Sequence, residues 1–153
     1  MASLDPGVIG TRIPEHTVEV ERGRLSFFAR ATGQQDDPIY TDPSAAAEAG
    51  HRDLPVPPTF LFCLDMERPS PSTFYTDLGV DIRTILHGEQ SFTYHATAYA
   101  GDTLHFSTEV TDCYAKKGGA LQFLVRTTEV TRHGEPIAQL RSTTVIRDPR
   151  ASA

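Results

Sequence analysis

The sequence predicts an α+β domain in which a curved antiparallel sheet encloses one central apolar helix. Three observations lead there. Thr59–Met66 (TFLFCLDM) is almost wholly apolar and is bracketed by prolines, Pro57 and Pro58 before it, Pro69 and Pro71 after it. A helix that is apolar on every side is a buried helix. After Thr84 the pattern changes to four segments of alternating apolar and polar residues, rich in β-branched side chains, as half-buried strands require. Finally, 153 residues make one domain the expectation, and a chain of that length buries roughly 70% of its unfolded surface.

The elements follow in order. His16–Val20 reads as a short strand. Glu21 to Ala31 carries Leu25, Phe28 and Ala29 on one helical face, and Gly33 ends that helix. Gly33–Asp42 is a loop. Pro43–Ala49 reads as a short helix with Asp42 as N-cap, Pro43 in the first turn and Gly50 just past the end. The central helix is expected over about 58–67, started by Pro58. The strands are QSFTYHATAY, TLHFSTEV, LQFLVRTTEV and PIAQLRSTTVIR. In the first, Phe92, Tyr94, Ala96 and Ala98 alternate with Ser91, Thr93, His95 and Thr97. The connections AGD, KKGG and RHGEP each hold a glycine suited to a tight hairpin. The domain is expected over 12–147, with polar or small, loose ends at 1–11 and 148–153.

Composition narrows the function classes. A formal net charge of −6 leaves no basic stripe to neutralise phosphates, which argues against nucleic acid. Lys116, Lys117, Arg126, Arg132 and Arg141 are candidates for a local anionic contact. For Lys116 and Lys117, a solvated hairpin tip is the default. No apolar run approaches the roughly 18 residues of a membrane span, and MASLDPGVIG has neither a basic nor an apolar targeting region, so a cytoplasmic protein is expected. Cys63 and Cys113 stand far apart with no CxxC spacing; they read as free buried thiols, and no metal site is expected. Ser72 and Thr73 follow prolines and show no nucleophile setting.

Three segments carry a family resemblance. TGQQDDPIYTDPSAAAEAG resembles the S-G-D-x-N-P-[IL]-H-x-D loop, and the small-residue helix after it, of the MaoC-like dehydratases. LPVPPTFLF resembles the start of their central helix, and LHGEQSFTYHATAYAGDTL the strand and turn that end in Gly-Asp. The resemblance spans about 18–146 and is nearest to the N-terminal, FAS1-like dehydratase type; the family includes (R)-specific enoyl-CoA hydratases and (R)-3-hydroxyacyl-ACP dehydratases. It implies a single hotdog fold and reversible hydration of the α/β bond of an acyl thioester. It also implies an aspartate and a histidine five positions apart as base and acid, and backbone N–H groups at the helix start to hold the thioester oxygen.

Matched by position, Pro38, Ile39 and Asp42 keep the frame of that loop. The histidine position holds Tyr40 and the aspartate position holds Gln35, so no intact pair is expected. The loop has one residue more than the motif between Gly33 and Pro38, which makes Asp36 and Asp37 candidates for a displaced base; ordinary turn chemistry is the competing reading. Tyr40, with an ordinary pKa near 10, is a poor base. His87 and His95 are the histidines considered, His87 as a catalytic candidate beside Gly88; His16, His51, His105 and His133 read as surface or loop residues. Pro58, Thr59, Phe60 and Gly88 are the expected substrate-binding positions.

No cofactor is implied beyond the coenzyme A or carrier phosphopantetheine of the substrate. The expected assembly is a homodimer, or a heterodimer with a catalytic MaoC-like hotdog subunit, pairing sheet edge to sheet edge. Three functions are weighed: a partner-dependent subunit of a dehydratase or hydratase; an autonomous homodimeric hydratase or thioesterase using Asp36 or Asp37 with Tyr40 or His87; and a non-catalytic acyl-CoA-binding module.

Overall fold

The computed structural model describes residues 4–147. The chain runs β1 (Arg12–Glu19), α1 (Arg22–Ala31), α2 (Pro43–Glu48), α3 (Phe60–Asp65), α4 (Thr73–Asp77), β2 (Ile85–Tyr94), β3 (Thr103–Lys116), β4 (Leu121–Arg132) and β5 (Glu135–Arg147). All strand pairs are antiparallel, in the order β1-β3-β4-β5-β2. One face of this sheet packs on α3, as expected for a hotdog fold.

Several elements differ from the sequence reading, each for a local reason. β1 begins at Arg12 rather than His16, because a register shift between Ile13 and His16 interrupts the alternation that marks a strand. The expected hairpin at Ala100-Gly101-Asp102 is absent. The strand expected over Gln90–Tyr99 instead runs Ile85–Tyr94 and pairs with β5 at the far edge. Ala96–Tyr99 leaves the sheet and lies against the segment before α3: Val56 N–H donates to the Ala98 carbonyl at 2.9 Å and Ala100 N–H to the Leu54 carbonyl at 2.9 Å. Alternation there reports a half-buried extended segment, not sheet membership. The other two connections are hairpins; His133 (φ 50°) and Gly134 (φ 84°) make the two-residue turn of positive φ that suits strand twist.

The central helix is shorter than expected. Pro58 lies outside it, and Thr59 adopts a left-handed conformation (φ 72°) just before Phe60. Phe60, Leu61 and Leu64 are buried, but so is Asp65, which pairs with the buried Arg68. The expected loose segment 1–11 is packed over its described residues: Val8 is buried against Tyr75 and Val110, and Gly10 N–H donates to the Val110 carbonyl at 2.9 Å. The tail 148–153 lies outside the described residues.

The face of the sheet that meets the helices is not uniformly apolar. At one end Leu104, Phe106, Val130, Ala138 and Leu140 pack on α3. At the other, Val110, Leu124 and Ile146 pack under α4. Between the two cores runs a buried polar belt. Thr108 and Thr128 share a hydroxyl hydrogen bond of 2.8 Å, Arg126 and Ser142 are register partners, and the Ser142 hydroxyl donates to the Gln90 amide oxygen. The Tyr75 and Thr144 hydroxyls are 2.9 Å apart.

Two residues hold the frame. Asp102 is buried and accepts hydrogen bonds from Arg52, from Arg132 Nη1 at 2.8 Å and from Tyr99 N–H at 2.9 Å, while its carbonyl accepts from Val20 N–H at 2.8 Å. Burial works to raise its carboxyl pKa, but the hydrogen bonds from Arg52 and Arg132 outweigh this and hold it below the usual carboxylate value. Gly88 sits at the register shift between His87 and Glu89 of β2, where a Cβ would lie 2.7 Å from Val145 Cγ2 and 3.0 Å from the Thr143 carbonyl oxygen.

Asp102→Asn is expected to destabilise the fold by roughly 2–4 kcal/mol in urea unfolding, since the charge that two arginines converge on is removed. Asp102 has a lower pKa folded than unfolded. Its contribution is therefore present above the unfolded value, about 3.9, and is lost as pH falls through the folded value. The gap between wild type and Asp102→Asn should shrink as the pH is taken below about 4. Gly88→Ala should cost about 1–3 kcal/mol through overpacking against Val145. Combined with Val145→Ala it should cost less than the sum of the single changes, a coupling that a double-mutant cycle measures.

Candidate functional site

A pocket of about 360 Å³ opens where the loop before α2, the segment leading to α3 and the end of β2 meet. Tyr40, His51, Val56, Leu61, Tyr94 and Ala98 are among its lining residues. Its walls are mostly apolar, with hydroxyl and imidazole groups at intervals, as a site for an apolar chain with a polar head would have. No carboxylate is among the lining residues.

The loop that resembles the catalytic motif keeps its frame through side chain to backbone hydrogen bonds. Asp37 Oδ1 accepts from Ile39 N–H at 3.3 Å and starts a 3₁₀ turn, Pro38–Tyr40. Asp42 Oδ1 accepts from Ser44 N–H at 2.8 Å and caps α2. Asp36 and Asp37 are exposed and outside the pocket lining, and Asp37 makes the turn hydrogen bond. Gln35 is exposed as well. Tyr40 does reach the pocket; burial, and secondarily the charge of Asp37, push its phenol pKa above the ordinary value, away from use as a base.

The other expected residues divide. Pro58 lines the pocket. Phe60 is buried behind it, its ring 4.9 Å from that of Phe28. His87 is exposed on β2 with its ring edge-on to Phe62 at 5.0 Å, and neither it nor Gly88 lines the pocket; Gly88 is needed for the close approach of β2 to β5. Among the basic candidates, Arg132 is committed to Asp102 and Glu135, and Arg126 is buried, so neither presents a free charge at the surface. Lys116 lies over the stacked rings of Tyr114 and Phe123. Cys63 and Cys113 are free thiols, half-buried rather than fully buried, with burial pushing both pKa values up. Among the described residues no cluster of three or more metal-ligating side chains occurs, and no helix is long and apolar enough to cross a membrane.

Two site residues were not legible as such. Tyr94 reads in sequence as one more inward strand residue. In the structure it stacks on Phe92 at 5.8 Å, and its hydroxyl accepts from Thr59 N–H at 2.9 Å. That N–H belongs to the helix start, where the resemblance places the donors for a thioester oxygen. His51 is half-buried in the pocket wall rather than on the surface, its Nδ1 3.2 Å from the Tyr99 hydroxyl. Arg52 lies over the Tyr99 ring at 4.7 Å and reaches Asp102, so the buried carboxylate fixes the tyrosine that fixes the histidine. The signal in the sequence was the His51-Arg52-Asp53 run directly after Gly50, which puts polar residues where α2 ends. His16 was also misread: its ring stacks on Phe106 at 4.9 Å and its Nε2 lies 3.3 Å from the Leu64 carbonyl, with burial lowering its pKa.

Comparison with known proteins agrees with this geometry. Residues 7–140 match the family described as FAS1-like, dehydratase domain region. A UPF0336 protein of Saccharopolyspora erythraea is 36% identical over 146 residues, covering 94% of this chain and 92% of its own. Among solved structures, the C-terminally truncated HadBC complex of Mycobacterium tuberculosis, a 3R-hydroxyacyl-ACP dehydratase, is 26% identical with a TM-score of 0.76, over 90% of this chain and 96% of that one. A MaoC-like dehydratase, also 26% identical, superposes with a TM-score of 0.81 over 94% of this chain and 43% of its own. With its sheet wrapped on α3 and its pocket beside the helix start, the chain belongs to the FAS1-like dehydratase domain family of MaoC-like hotdog proteins.

Proposed function

We propose that this chain is a subunit of an (R)-3-hydroxyacyl-thioester dehydratase or enoyl-thioester hydratase: it shapes the acyl pocket, and a partner hotdog supplies the acid and base. What supports this reading is a pocket lined without a carboxylate beside the loop that resembles the family's catalytic motif, with Tyr40 among its lining residues. Hydration of an α/β bond needs one group to activate water and another to protonate the adjoining carbon. Tyr40, its proton held more tightly than usual, is a poor group to activate water near neutral pH. The similarity to a dehydratase described as the HadBC complex supports a second, different hotdog chain as partner.

The sheet offers the contact. β2 is an edge strand, and Leu86 (52% exposed) and Tyr94 (49%) lie along it. An unpaired edge of ten residues is a template for a second strand. Pairing there would place the partner's loop near the pocket mouth that Tyr94 borders. The substrate brings its own coenzyme A or carrier phosphopantetheine, and no other cofactor takes part. A second reading, a self-sufficient hydratase, is favoured by one observation, the imidazole of His51 held in the pocket wall by Tyr99.

Crotonyl-CoA hydration by the purified chain, alone and with a hotdog chain carrying the intact Gly-Asp-x-Asn-Pro-x-His loop, tests this. Alone it should be slower by at least about 10²-fold, the usual loss when a positioned acid or base is missing. In the pair, Tyr40→Phe should leave the rate within about twofold, and changing the partner's aspartate or histidine should abolish it. Full activity of the lone chain, lost in His51→Gln, would establish the second reading instead. Ala96→Leu, which extends a side chain into the pocket, should lower kcat/KM for long acyl chains about tenfold or more relative to crotonyl-CoA, on the scale of a few methylenes in an apolar pocket.

A further inference from the structure

The polar side chains of the pocket are not equally held. Tyr40, His95 and Thr97 are among its lining residues, and among the described residues their side chains make no hydrogen bond that would fix where they point. His51 is held through Nδ1, 3.2 Å from the Tyr99 hydroxyl, and which of its ring nitrogens donates depends on the tautomer. Tyr94 is held twice. Its ring lies parallel to that of Phe92, tilted by 3° with 5.8 Å between centres, and its hydroxyl accepts from Thr59 N–H at 2.9 Å.

The accepted bond decides what this hydroxyl can do. A tyrosine hydroxyl both donates and accepts. With an amide on its acceptor side, its proton is turned away from Thr59, and among the described residues that proton has no acceptor. Hydrogen bonds in a chain polarise one another, so a hydroxyl that accepts is also a stronger donor. The amide itself is set at a cost. Thr59 is β-branched and sits at φ 72°, a conformation that persists only where the surroundings enforce it. The pocket then gives the donor its place along a ligand. Leu61, Ala98 and Ile137 line it and are at most 3% exposed, so its floor is apolar, while Tyr94 and Pro58 stand exposed at the rim. A ligand with an apolar tail buries the tail and leaves its polar head at the rim.

We propose that Tyr94 is the residue that holds the thioester carbonyl of the substrate: its hydroxyl, polarised by Thr59 N–H, donates to the carbonyl oxygen at the pocket mouth, with the acyl chain inward and the carrier outward. The inference rests on the acyl-thioester reading above and assigns a contact that reading leaves open. The α and β carbons then lie just inside the mouth, next to the β2 edge. Negative charge that develops on the oxygen during hydration strengthens the donated bond, so the contact that orients the substrate also stabilises the transition state.

The test compares calorimetric binding of butyryl-CoA and of S-butyl-CoA, which has a methylene in place of the carbonyl, to the full chain and to Tyr94→Phe. The preference for butyryl-CoA, taken as the ratio of Kd values, should be about fivefold larger in wild type than in the variant, the scale of one neutral hydrogen bond. The Kd of S-butyl-CoA should stay within about twofold. With ¹³C at the carbonyl, the resonance of butyryl-CoA should move downfield on binding to wild type and move less with Tyr94→Phe. Equal losses for both ligands would mean a packing role only, and an unchanged or larger preference in Tyr94→Phe would mean that the hydroxyl merely covers Thr59 N–H; either overturns the proposal while the acyl pocket stands. If neither ligand binds wild type, the acyl-thioester reading fails and this inference with it. Phenylalanine keeps the stack on Phe92; should the variant still fail to fold, the wild-type resonance decides, a downfield shift supporting the proposal and no shift overturning it.

Discussion

Asp102 is the interaction on which the rest of the site depends. The chain leaves the sheet after β2, runs along the segment that precedes α3, and must turn back to start β3. It does so at Gly101 (φ 86°), whose N–H donates to the Val20 carbonyl, so the turn is fastened to the end of β1. Behind it the Asp102 carboxylate gathers Arg132 from the end of β4 and Arg52 from the loop after α2. Three separate stretches are thereby fixed to one buried charge, and the Arg52 head in turn lies on Tyr99, which holds His51. A buried carboxylate is tolerated only when it is fully hydrogen-bonded. Here that requirement and the construction of the pocket wall are the same requirement.

Much of the fold was legible because its signals are local. The small-residue helix announced itself by Asp42 before Pro43, and the hairpin at His133-Gly134 by its glycine. What was not legible depends on partners distant in sequence. Alternation in Gln90–Tyr99 could not tell pairing with β3 from pairing with β5, because both leave the same residues inward. Asp65 inside an apolar run gave no hint that its partner, three residues on, would be buried too. At the site, the frame residues Pro38, Ile39 and Asp42 and the replacement of the histidine by Tyr40 were readable from position alone. Tyr94 and His51 were not, since their roles arise from contacts to Thr59 and Tyr99, 35 and 48 residues away.

The pocket is built beside a loop whose acidic residues serve the backbone. Its lining is mostly apolar, and the neighbouring carboxylates of Asp37 and Asp42 accept from backbone N–H groups of the loop and of α2. A threonine at positive φ is costly, and its N–H is satisfied by the Tyr94 hydroxyl in the absence of any substrate.

The strand order has a consequence for how the protein is made. β2 is complete at Tyr94, but among the described residues its sheet neighbour is β5, the last strand, whose pairing with it begins at Ala138. During synthesis β2 must therefore wait, with both edges open, while β3 and β4 emerge and close their hairpin. Pairings so far apart in sequence fold slowly, and unpaired strands are the segments most prone to associate wrongly. Since β2 ends as a sheet edge, the same ten residues have one side still unpaired after folding is complete. The charged and amide side chains Glu89 and Gln90 in the middle of that strand, beside the bulge at Gly88, lower its tendency to pair indiscriminately during the interval.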